Sequence, residues 1–82
     1  MDPNELRNTL LQAFSEEAPD LLRKAEQALL DLEDAPDQDR QAPAEALKRA
    51  LHSLKGSASA IGRDDLRDVC HAMEDLVLHM LQ

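Results

Sequence analysis

Apolar residues recur along this chain at helical spacing, in three runs separated by prolines and a glycine. Leu6, Leu10 and Phe14 open the first run, with Leu11 and Ala13 beside them. The seam then continues in sevens, with Phe14, Leu21 and Ala28 on one line and Leu11, Ala18, Ala25 and Leu32 on another. Such spacing marks one face of an amphipathic helix. Its start is well signalled: Asp2 suits a cap, Pro3 suits the first turn, and Glu5 follows Asp2 by three as in a capping box. Pro19 interrupts the run, because proline lacks a backbone donor and its ring clashes with the preceding turn. The pattern predicts a long N-terminal helix over about residues 4–33, kinked or broken near Pro19.

Residues 34–43 are polar and carry Pro36 and Pro43, so they read as a loop. Pro43 suits the opening of a second helix over 43–61, with Leu47, Ala50, Leu51, Leu54, Ala58 and Ile61 on its inner face. Gly62 is placed to end it. Asp64 is the expected cap of a third helix over 64–81, which would bury Leu66, Val69, Cys70, Met73, Leu76, Val77 and Met80. No stretch alternates as a strand does. The expectation is an all-α, antiparallel bundle, with the hairpin 43–61/64–81 packed on the long first helix, since short connections favour antiparallel neighbours.

Composition narrows the function classes. With 82 residues there is room for one domain. Having no Trp or Tyr and only Phe14, it must build its core from Leu, Ala, Val, Ile and Met. A net charge of −8 opposes binding to nucleic acid or an anionic membrane surface. No apolar run approaches the ~20 residues that span a bilayer. The start Met1-Asp2-Pro3-Asn4-Glu5 is acidic and unlike a secretory signal, and lone Cys70 cannot form an internal disulfide. A cytoplasmic protein is expected, with Cys70 in the core and Glu16, Glu17 and Asp20 on a solvated face.

The chemistry-bearing segment is His52-Ser53-Leu54-Lys55-Gly56. Residues three and four apart on a helix are neighbours, so Lys55 and Gly56 both stand beside His52, with Lys48 and Ser59 on the same side. Glycine inside a helix costs ~1 kcal/mol relative to alanine, and helix stability gives no reason for Gly56. Close approach of another molecule to His52 does. Folding the hairpin about Gly62 brings His71 and Glu74 level with His52 and Lys55, because positions equidistant from an antiparallel turn lie side by side. A carboxylate on Nδ1–H of an imidazole leaves the Nε2 lone pair exposed, which is a competent nucleophile for a phosphoryl group. Lys55 supplies positive charge for phosphoryl oxygens, and Gly56 clears the approach.

Plainer readings compete. His52 could be a surface histidine among lysines that balance the acidic charge, and His71 with Glu74 could be a solvated helix face. The smooth run Gly56-Ser57-Ala58-Ser59-Ala60 would also serve a helical docking module with no chemistry. A metal site from His52, His71, Glu74 and His79 is opposed by the Lys55 charge, so no metal is expected.

The segment Ala50-Leu51-His52-Ser53-Leu54-Lys55-Gly56-Ser57-Ala58-Ser59-Ala60-Ile61-Gly62 closely resembles the signature of histidine phosphotransfer (HPt) domains. Cys70-His71-Ala72-Met73-Glu74-Asp75-Leu76-Val77 is similar to the matching helix of chemotaxis-type histidine kinases of the CheA class. The resemblance covers about Leu6 to Leu81. It implies that His52 is the phosphorylated residue, Lys55 the assisting lysine and Gly56 the clearance glycine. Glu74 would be the carboxylate on the histidine, and His71 a member of the same polar network, with Lys48, Gly56 and Ser59 on the docking surface. The implied partners are a histidine kinase catalytic domain, which binds the Mg-ATP, and a response-regulator receiver domain, whose aspartate takes the phosphoryl group. No cofactor is expected in the domain itself. The family's bundle has four helices, and its last is not in this sequence. The chain is therefore expected either to be an N-terminal piece of a multidomain kinase or to cover an exposed apolar flank by self-association.

Overall fold

The computed structural model describes residues 2–81 as three helices in antiparallel succession, α1 (Pro3–Asp34), α2 (Gln41–Ala60) and α3 (Asp64–Met80). Helix α2 lies in the middle and packs on both of the others, whereas α1 and α3 scarcely meet. The molecule is elongated, 51 × 20 × 15 Å. That length is set by α1, whose 32 residues rise about 48 Å, against about 30 Å for the 20 residues of α2. The first turns of α1 thus overhang the hairpin, and Leu6 and Leu11 are exposed there.

Helix α1 starts as its sequence proposes. The Asp2 side chain accepts a hydrogen bond of 2.9 Å from the Glu5 amide, and Pro3 occupies the first turn. The break considered at Pro19 does not occur, for α1 runs unbroken through it. An interior proline costs roughly 3 kcal/mol. Against that stand the apolar groups on both sides of it: Phe14, Ala18 and Leu21 pack beside Leu54 and Cys70, while Ala25, Ala28 and Leu32 pack beside Ala44, Leu47 and Leu51. Burying a single large aliphatic side chain is worth about 1.5–3 kcal/mol. A break would detach half of this seam, and the Pro19 ring itself faces solvent.

A single 3₁₀ turn, Asp37–Asp39, interrupts the first connection. Helix α2 begins two residues earlier than expected, placing Pro43 third in its first turn, where a missing N–H has no intrahelical acceptor anyway. Its other end is well defined. Gly62 adopts φ 77°, its N–H donates to the Ser59 carbonyl at 3.1 Å, and the Arg63 N–H donates to the Ala58 carbonyl at 2.9 Å. This is the paired closure that a left-handed glycine permits after a helix. Asp64 does not cap α3. It is the first helical residue and Arg63 holds the cap position without a side-chain hydrogen bond, so Asp64 and Asp65 supply favourable negative charge in the first turn and pair with Arg67 and Arg63.

The largest departure concerns α3. Val69, Met73, Leu76 and Met80, expected in the core, are between 41% and 63% exposed. The helix carries two adjacent apolar seams. One, with Leu66, Cys70 and Val77, faces α2; the other, 69-73-76-80, is turned away from it. A single neighbouring helix can cover only one seam, and periodicity read along the chain merges the two into one wide stripe. The seam that wins also buries Glu74, which is 7% exposed.

Candidate functional site around His52

The site is built where α2 and α3 pack. Glu74 sits one turn after Cys70 and almost one turn before Val77, and both of these are buried against α2. Helical geometry therefore drives the Glu74 carboxylate into the same interface. From α2, His52 and Lys55 reach it from the solvent edge. Nδ1 of His52 lies 3.4 Å from Glu74 Oε2, and Nζ of Lys55 lies 2.8 Å from Oε1. The lysine approach is oblique, an ion pair rather than an aligned hydrogen bond, and Oε1 has no other hydrogen-bond partner. Exposure is graded across the three. The Glu74 side chain is 10% accessible, Lys55 25% and His52 72%.

Burial pushes the Glu74 carboxyl toward protonation and is the largest single influence on it. Lys55 and then His52 together outweigh it, so its pKa lies below the ordinary carboxylate value. Glu74 is thus an anion at neutral pH and accepts from Nδ1–H of His52. That contact fixes the tautomer and leaves Nε2, with its lone pair, on the open side of the ring.

Gly56 has a clear surface. A Cβ added there would meet nothing within 4 Å, so no contact inside the domain calls for glycine at this position. Ser59 is likewise exposed and Lys48 partly so, on the side of α2 that carries His52. His71 is placed differently from the other three. Its Nε2 lies 3.8 Å from Asp75 Oδ2 one turn along α3, and its ring is 65% exposed. The geometry joins His52, Lys55 and Glu74 and leaves His71 with Asp75. Among the described residues no three His, Cys, Asp or Glu side chains gather as a metal site would require. Cys70 is buried, with its thiol pKa raised by burial and by nearby Glu74, and is unsuited to nucleophilic work.

An exposed imidazole thus lies against a buried carboxylate, on a helix with an open glycine one turn on. Residues 9–82 match the Hpt domain family. The chain belongs to that family. Individual relatives agree with the Hpt assignment. The chain is 37% identical over 78 residues to the gliding motility regulatory protein of Myxococcus xanthus, an alignment covering 94% of this chain and 10% of that protein. It is 42% identical over 67 residues to the chemotaxis protein CheA of Klebsiella aerogenes, covering 80% of this chain and 10% of the relative. To CheA of Halobacterium salinarum it is 36% identical over 72 residues, covering 88% and 10%. The Hpt chain therefore spans 10% of the length of each of these three relatives. No solved structure gives a significant match. No helix among the described residues is long and apolar enough to cross a membrane.

Proposed function

We propose that this Hpt domain is a phosphoryl carrier in a chemosensory phosphorelay, with His52 as the residue that is phosphorylated. The observation that carries this reading is the Nδ1–Glu74 contact, which turns Nε2 outward on an otherwise solvated ring. In the first step the Nε2 lone pair attacks the γ-phosphorus of ATP held by a histidine kinase catalytic domain. The N–P bond forms as the bond from phosphorus to the bridging oxygen breaks, and ADP leaves with that electron pair. The ring gains positive charge, which the Glu74 anion stabilises through Nδ1–H. In the second step a carboxylate oxygen of a receiver-domain aspartate attacks the phosphorus, and the N–P electron pair returns to Nε2. Lys55 keeps Glu74 ionised in its buried position, and Gly56 leaves room for both partner domains beside His52. Nucleotide and Mg²⁺ belong to the kinase domain, and both exchanges belong to the cytoplasm.

The chemistry of the product makes the test simple. Incubation with a cognate kinase domain and labelled ATP is expected to give a phosphate that is lost in acid and kept in alkali. His52→Gln is expected to abolish it. Equal labelling of that variant would overturn the assignment to His52, and absence of label on the wild-type domain would leave the docking-module reading in its place.

A further inference from the structure

The basic side chains of this domain are unevenly engaged. Arg23 and Lys24 both sit on Asp20, at 2.8 and 3.4 Å. Arg40 reaches Asp37 at 3.8 Å, Arg63 meets Asp65 at 3.1 Å, and Arg67 meets Asp64 and Asp68 at 3.3 and 3.0 Å. Lys55 is held by Glu74 at 2.8 Å. Among the described residues, Lys48 and Arg49 have no carboxylate within ion-pair distance, and the remaining cation of this kind, Arg7, stands in the second turn of α1. The lack of a partner is informative because one is nearby in sequence. Glu45 precedes Lys48 by three and Arg49 by four, the spacings at which helical ion pairs form. Its carboxylate instead accepts a hydrogen bond of 2.9 Å from the Gln41 side chain.

These two cations stand four and three residues before His52. On a helix of 3.6 residues per turn that places them one turn toward the N-terminus, on either side of the imidazole. One and two turns the other way lie Gly56 and Ser59, small and uncharged. The solvent-facing ridge of α2 is therefore cationic before His52 and smooth after it. Helix α2 carries Lys48, Arg49 and Lys55 against a single acid, Glu45, in a chain of net charge −8.

We propose that Lys48 and Arg49 form an electrostatic receptor for the acidic surface around the acceptor carboxylate of the partner, steering it onto phosphorylated His52 from the N-terminal side of α2. This rests on the phosphoryl-carrier reading. In that transfer a new P–O bond forms to the acceptor carboxylate as the P–N bond to Nε2 breaks, with the electron pair returning to the ring. Both reactants are anions, and they meet on a domain whose overall charge repels acids. Lys55 cannot offset this repulsion, since Glu74 already neutralises it. Lys48, half-buried, and Arg49, exposed, are the charges left to do so, and unpaired cations beside the imidazole suit steering, which raises encounter rates and is screened by salt.

The test loads His52 with phosphoramidate, a small donor that needs no kinase, so that every reaction starts from the same amount of phosphohistidine. Transfer to a purified chemotaxis response-regulator receiver domain is then timed across a range of salt concentrations. The probes are wild type, the double variant Lys48→Ala/Arg49→Ala and the reversal Arg49→Glu, with circular dichroism to confirm the helices. The wild-type bimolecular rate is expected to fall steeply with salt. The double variant should be roughly tenfold slower at low salt and nearly insensitive to it, with the reversal slower still. Equal rates and equal salt slopes would overturn the receptor, as would a uniform slowing with the slope retained. Absence of label on wild-type His52 would instead overturn the carrier reading on which it stands.

Discussion

The two interfaces of α2 are built to different rules. Toward α1 it presents Ala44, Leu47 and Leu51 to Ala28 and Leu32, a contact made of aliphatic groups. Toward α3 it meets Cys70 and Val77 but also a carboxylate, with a lysine and a histidine drawn over it. A packing interface gains nothing from an ionised Glu74, because desolvating a charge costs several kcal/mol even when it is paired. Met73, next to Glu74, would have filled the space with apolar surface and is instead 41% exposed. The α1 interface therefore serves stability, while part of the stability available at the α3 interface is given up to hold one imidazole against a buried carboxylate.

This contrast can be broken most forcefully from the α1 side. Leu32 is 2% exposed in the aliphatic interface, and Leu32→Ala is expected to cost about 2–5 kcal/mol. That is a large share of the roughly 4–12 kcal/mol a domain of this size commands. The denaturant midpoint should fall sharply, while labelling per folded molecule stays as in wild type. A loss of labelling beyond the loss of folded protein would blur the division between the interfaces.

On the α3 side the prediction is asymmetric. Lys55→Ala leaves Glu74 buried with only His52 as partner, at a cost of about 1–3 kcal/mol. Glu74→Leu leaves Lys55 and His52 free to turn to water, so its stability should equal or exceed wild type. Labelling moves the other way. Losing a charge-assisted hydrogen bond of about 1.5–3 kcal/mol to the imidazole should slow phosphorylation of Glu74→Leu roughly 10- to 100-fold. Chemical denaturation beside labelling kinetics would separate the two readouts. A pH series sharpens the point. The folded pKa of Glu74 is depressed, so the unfolded chain binds more protons in acid, and the carboxylate's contribution is present above the ordinary Glu value and lost as pH falls through the lowered one. Glu74→Leu should lack that part of the acid destabilisation. An unchanged acid profile would mean the carboxylate adds nothing to folding.

The smallest effect belongs to Gly56. A methyl there meets nothing in the domain, so Gly56→Ala should stabilise α2 by up to ~1 kcal/mol, seen as a higher melting temperature. Under the proposed carrier function, exchange with the kinase and receiver domains should nevertheless slow, because the methyl would stand on the surface proposed for their approach. A variant that is both more stable and equally fast would remove the reason for glycine at this position.

Much of this was legible along the chain. Asp2, Pro3 and Glu5 announce the first helix, and Gly62 marks the turn, because caps and left-handed residues are local requirements. The pairing of His52 and Lys55 with Glu74 followed from counting outward from that turn, since an antiparallel hairpin makes sequence distance a measure of height. Arg49 was missed for a related reason: its significance lies in the absence of an ion-pair partner, and spacing alone would have assigned Glu45 to it. His71 has Glu74's helix face by spacing, yet its side chain turns to Asp75, as an exposed ring is free to do.

By itself, then, the sequence determined the helices, their order and the juxtaposition of His52 with Glu74, because each depends on nearest neighbours along a helix or on one tight turn. Tertiary structure alone decided whether α1 survives Pro19, which of two adjacent apolar seams of α3 is covered, and that Glu74 rather than Met73 enters the interface. Those outcomes depend on summing burial over a whole helix face against a local cost, and that sum exists only once the helices are packed.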